Sequence, residues 1–115
     1  MKWMRRVPMG LCGQAVPPTE GERVLQVRNH LRYRMEEFLQ DGLRVAFGEE
    51  ETGAGFVKIS FPNCESVRAV ELLKAHGIEA AETEGWVAFY VTERLNFEDM
   101  DYVQGAVTEI LYAAT

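Results

Sequence analysis

The sequence predicts an α+β fold: a two-layer sandwich whose helices cover a small, mostly antiparallel sheet in the order α-β-β-α-β-β-α. Three observations carry that prediction. Apolar residues recur at spacings of three and four in three separate stretches. Short apolar strands come in two pairs, each divided by a turn that contains glycine. Asparagine, glycine or proline stands at nearly every junction between them.

Taken in order, residues 1–18 read as an irregular leader rich in Gly, Pro and Met, and residues 19–115 as a single domain. Thr19, followed three residues later by Glu22, has the form of a helix capping box. Val24, Val27, Leu31, Met35 and Phe38 then mark one buried stripe, with Arg28, Arg32 and Arg34 largely off it, and Gly42 ends the helix. Leu43–Phe47 alternates like a half-buried strand. After a glycine-rich acidic turn from Gly48 to Gly55, the strand Phe56–Phe61 puts Val57, Ile59 and Phe61 on one face.

Asn63 has the chemistry of an N-cap for a helix over 64–76, with Val67, Val70, Leu72 and Leu73 as its apolar side and Gly77 closing it. Ile78–Glu82 reads as a short strand, Glu84-Gly85 as a turn, and Trp86–Val91 as a nearly continuous apolar strand of the kind found in the centre of a sheet. Asn96 caps the last helix, Glu98 and Asp99 favour its dipole, and Met100, Val103, Val107 and Ile110 face inward.

The 115 residues suffice for one domain, and the composition (47% hydrophobic, 26% charged) excludes a collagen, a disordered tail or a disulfide scaffold. Cys12 and Cys64 are too few to staple a fold, so reduced thiols and a cytoplasmic location are the expectation. The basic start is broken by Pro8, Gly10, Gly13, Pro17 and Pro18, which does not suit a signal peptide, and no apolar run is long enough for a membrane helix.

The net charge of −6 hides an asymmetry: residues 1–34 carry +5 and residues 35–115 carry −11. The expectation is that the basic segment packs against acidic surface of its own fold or of a partner. Nucleic acid is not expected as a partner, because overall acidity repels a polyphosphate and no aromatic residues interleave with clustered bases.

The stretch Leu72-Leu73-Lys74-Ala75-His76-Gly77-Ile78-Glu79-Ala80 resembles a helix-to-strand junction in the small C-terminal domain of fold-type I pyridoxal-phosphate enzymes. Gly85–Thr92 with Asn96–Asp101 resembles the last strand and last helix of that domain, a pattern shared by threonine aldolases, cysteine desulfurases and class V aminotransferases. With the preceding long helix the likeness covers about residues 19–113. It implies an arginine in the last strand that grips a substrate carboxylate, and the position that fits it here is Ala88. No counterpart is expected either for the phosphate cradle, the acid for the pyridine nitrogen or the lysine of those enzymes; Lys2, with one residue before it, is not expected to have a pocket to activate it.

The leading expectation is therefore a stand-alone, non-catalytic domain acting through protein association, as a homodimer or with a partner protein, without a cofactor. Two alternatives stand beside it: a regulatory module that senses an amino acid or similar small molecule, and a fragment or subunit of a pyridoxal-phosphate enzyme. A ligand pocket is expected, if anywhere, near Ala88 and Tyr90.

Among reactive groups, Cys64 is the one catalytic candidate. In the first turn of its helix the dipole would favour a thiolate, Glu65 would oppose it, and His30 or His76 would have to approach in space as a base. The plainer reading is a small residue filling a helix–sheet junction. His76 suits the C-terminal carbonyls of its helix, His30 is expected in solvent among arginines, and Glu49–Glu51 form a solvated acidic turn. Two distant cysteines and two isolated histidines lack the spacing of a metal site. Met1, Trp3, Met4, Val7, Met9 and Leu11 should lie on the domain or on a neighbouring subunit.

Overall fold

The computed structural model describes residue 7 and residues 16–113. Pro17-Pro18 start the chain into a 3-10 turn at Pro18–Glu20, which runs directly into α1, Gly21–Glu36. The capping box expected at Thr19 is not formed. Thr19 lies inside that turn, and Glu20 flanks the helix without a side-chain cap, because proline's fixed φ begins the helical winding earlier. The apolar stripe is as expected: Val24, Val27, Leu31 and Met35 are fully buried and Phe38 nearly so. The helix does not continue to Gly42, however. A second 3-10 turn, Leu39–Asp41, follows it and ends at Gly42 with φ +96°, where a Cβ would meet the Pro62 ring at 3.1 Å.

β1 (Arg44–Glu49) and β2 (Gly55–Ser60) form an antiparallel hairpin in which Val45 faces Ile59 and Phe47 faces Val57. Its turn is closed by Glu50 N–H to Ala54 O at 2.8 Å, with Gly53 in the left-handed region.

α2 spans Ser66–Ala75, so the helix begins two residues later than its sequence suggests. Asn63 is not its cap. The Asn63 amide instead donates to the carbonyls of Ile110 and Leu111 at the far end of the chain. Only Leu73 of the four expected apolar residues is fully buried; Val67 is exposed, while Ser66 and Ala69 face inward and let the helix sit close to the sheet. Gly77 (φ +81°) ends α2 through bonds from its N–H to Lys74 O and from Ile78 N–H to Leu73 O, a Schellman arrangement that brings two core residues together.

Ile78 does not belong to the following strand. It makes a parallel bridge with Val7, and β3 is limited to Ala81–Thr83. Glu84 and Gly85, both at positive φ, then make the tight turn whose twist suits a two-residue hairpin. β4, Trp86–Val91, is central: the sheet order is β1-β2-β4-β3, antiparallel throughout. The last helix, α3 (Phe97–Leu111), has the capping box in full, with Asp99 N–H to Asn96 Oδ1 at 2.9 Å and Asn96 N–H to Asp99 Oδ2 at 3.0 Å.

The order α-β-β-α-β-β-α and the two-layer architecture are thus those of an α+β sandwich. α1 crosses β1, β2 and β4, α2 lies over β4 and β3, and α3 packs against both helices. The shared core takes Val57, Ile59, Val87, Phe89 and Val91 from one face of the sheet, and each such side chain contributes roughly 1.5–3 kcal/mol when fully buried. Val7 and Val16 are members of that core too, so the leader is tied to the domain at both positions. The rest of the leader, including Lys2, Trp3, the methionines, Leu11 and Cys12, lies outside the described residues.

Candidate interaction surface

Strand alternation sends Trp86, Ala88 and Tyr90 to the face of the sheet opposite the helices. There Ala88 lies fully buried between Lys58 and Ala81 in register. Tyr90 sits opposite Phe56, ring centroids 6.3 Å apart. The two cations on this face are held by aromatic rings: Arg44 stands 5.0 Å over Trp86, and Lys58 Nζ stands 5.0 Å over Phe56. Position 88 thus carries a buried methyl group and no charged side chain. Two open hollows of about 350 Å³ lie elsewhere, and neither is lined by Ala88 or Tyr90.

The first hollow contains Cys64, with Ser60, Glu65, Ser66 and Glu82. Cys64 falls in the bend before α2 rather than in its first turn, so the helix N–H groups do not favour its thiolate. Burial pushes the thiol up from its ordinary pKa, Arg68 draws it down, and Glu65 adds to the rise. Its Sγ–H donates to Glu65 O at 3.4 Å. Neither histidine lines this hollow.

Each histidine joins α3 to another helix. His30 is partly covered, not solvated: its Nε2 lies 2.7 Å from Asp101 Oδ1, and its ring stands edge-on to Phe97 at 5.2 Å. Arg34 Nε donates to the same Asp101 oxygen at 3.2 Å, one place where the basic segment meets the acidic remainder. The hydrogen bond from His30, ahead of the charges of His30 and Arg34, holds the Asp101 carboxyl below the usual range. His76 Nε2 lies 3.1 Å from Glu109, while Tyr102 O–H donates to the His76 carbonyl at 2.6 Å; these residues border the second hollow. Among the described residues no group of three or more His, Cys, Asp or Glu is placed to hold a metal.

The most distinctive surface is the β1 edge, which was not anticipated. β1 pairs with β2 only, so among the described residues its other side has no strand partner. Phe47 is 44% exposed there, and its ring is covered by guanidinium groups instead of aliphatic side chains: Arg32 at 3.6 Å and Arg28 at 5.4 Å. Arg28 is 93% buried by the same packing. It donates through Nη1 to Gly48 O and through Nε to Asn29 Oδ1, and burial lowers its pKa. Tyr33, also under Arg32, is 59% exposed. The signal in the sequence was Arg28 and Arg32, one turn apart on a helix that leads into a strand containing an aromatic residue.

No family model matches the sequence, and no curated protein matches it significantly. Among the described residues no helix is long and apolar enough to cross a membrane.

Proposed function

We propose that this chain is a protein-association domain, not a catalyst, and that it works through the β1 edge of its sheet, which has no strand partner among the described residues. The carrying observation is β1. It is six residues long, has no proline or bulge, and keeps an exposed aromatic residue on a side that has no strand partner among the described residues. The opposite edge, β3, has three residues and a central glutamate, a far poorer template. An edge such as that of β1 invites a strand from another chain.

The likeness to the small domain of pyridoxal-phosphate enzymes supports an accessory role. It is the noncatalytic half of that architecture that the sequence resembles, and Ala88 has no means of gripping a carboxylate. Free Cys64 and the wide separation of the two cysteines suit a reducing, cytoplasmic setting.

Titration of the protein with pyridoxal phosphate tests the reading. The expected spectrum is that of the free cofactor. A lysine-bound cofactor band that disappears in a Lys2→Ala variant overturns it and favours the enzyme-subunit alternative. A thermal-shift screen of amino acids addresses the sensor alternative: a clear rise in Tm with one of them would make ligand binding, not association, the function.

A further inference from the structure

We infer that the occupant of the β1 edge is a second copy of this chain, joined antiparallel about a two-fold axis at Phe47. The inference rests on the association reading above and specifies its partner. A two-fold axis perpendicular to a sheet keeps both helix layers on the same side, so the combined eight strands form one continuous sheet. Directly opposed residues in an antiparallel pair share a face, so one residue of the strand must lie on the axis and face its own copy. With Phe47 there, Ala46 opposes Gly48 of the second copy, and Arg44 opposes Glu50.

Charge complementarity selects this register. Arg44 stacks on Trp86 but has no acidic partner among the described residues, and the Glu50 carboxylate has no cation there. Two-fold pairing sets these two unmatched charges opposite one another twice. Moving the axis by one residue, to Ala46, places Arg44 against Gly48 and Glu49 against the apolar Leu43, and both matches are lost. Phe47 keeps 44% of its surface exposed even though the Arg28 and Arg32 side chains of α1 lie over its ring. Phe47 and Tyr33 then supply apolar surface on both sides of the axis.

Sedimentation equilibrium over a concentration series, on the full chain, tests the pairing. The wild type is expected to dimerise. Arg44→Glu places like charges opposite and should weaken the dimer by about tenfold, and the exchange Arg44→Glu with Glu50→Arg should recover it. Phe47→Glu keeps an acceptor for Arg28 and Arg32, preserving the monomer fold as read by circular dichroism, but sets two carboxylates together on the axis and should leave monomer only. A wild type that stays monomeric throughout, or a dimer indifferent to Phe47→Glu, overturns the inference. So does failure of the charge exchange to recover what the single change loses. A monomer that still shows no lysine-bound cofactor leaves association with a different protein as the reading, whereas the cofactor band removes that reading whatever the oligomeric state.

Discussion

Asn63, in the bend after β2, donates its side-chain amide to Ile110 O at 3.1 Å and so closes the C-terminus of a helix 47 residues further along the chain. The last carbonyls of a helix have no partner within it, and a side-chain donor brought from elsewhere satisfies them. Through this bond α3 is fastened to the β2–α2 connection.

This contact predicts an unusual order of substitutions. Asn63→Ala should cost about 1 kcal/mol, the net value of a hydrogen bond of this kind. Asn63→Asp should cost more, because a carboxylate cannot donate and its charge meets the negative end of the helix dipole. Chemical denaturation of both variants measures this. An aspartate as stable as wild type would show that the residue caps α2 after all.

At the other end of α3 the reverse preference holds. Asn96 accepts from Asp99 N–H, so Asn96→Asp should be tolerated and Asn96→Ala should lose about 1 kcal/mol. Equal losses for the two changes would contradict the capping role.

The His30–Asp101 pair carries a pH dependence on the acid side. The folded carboxyl titrates below its unfolded value, so its contribution to stability is present above the unfolded pKa and is lost as pH falls through the folded one. In a His30→Ala variant the Asp101 titration followed by NMR should move up toward the ordinary range. The pair is partly exposed, and added salt should reduce the shift. An Asp101 titration unchanged by the substitution would assign the effect to Arg34 instead.

Cys64 should behave as an unreactive thiol. With burial pushing its pKa upward, labelling in a Cys12→Ser background at neutral pH should be slower in the folded protein than in denaturant. Arg68→Ala removes the one nearby cation that draws the pKa down, so it should slow labelling further. Faster labelling of the native protein would restore Cys64 as a candidate nucleophile.

Periodicity served the reading of the chain where a residue's environment is set by its own element. The stripe of α1 and the Val57–Ile59–Phe61 face follow from spacings of two, three and four, because burying one face is enough to dictate the pattern, while the central position of β4 follows from an apolar run without alternation and the Asn96 cap from local turn chemistry. Capping signals failed at Thr19 and Asn63 for different reasons. Pro17-Pro18 begin the winding ahead of Thr19, and the Asn63 amide serves the end of a different helix from the one it precedes. The strand reading failed at Ile78 because its pairing partner is Val7, far away in the chain.

The candidate surface divides along the same line. Alternation along β4 puts Ala88 and Tyr90 on one face, yet nothing local indicates that Phe56, Lys58 and Arg44 join them there. Nor does β1 look different from any other strand until its neighbours are known. An edge is a property of strand order, and strand order is set by the crossover through α2 that returns β4 to the side of β2. By itself, then, the sequence determined the kinds, order and buried faces of the elements, since these depend on hydrophobic period and local turn chemistry. Only the tertiary structure decided which strands lie at the edges of the described sheet and that two arginines would shelter the aromatic ring on β1, because both depend on residues brought together from distant parts of the chain.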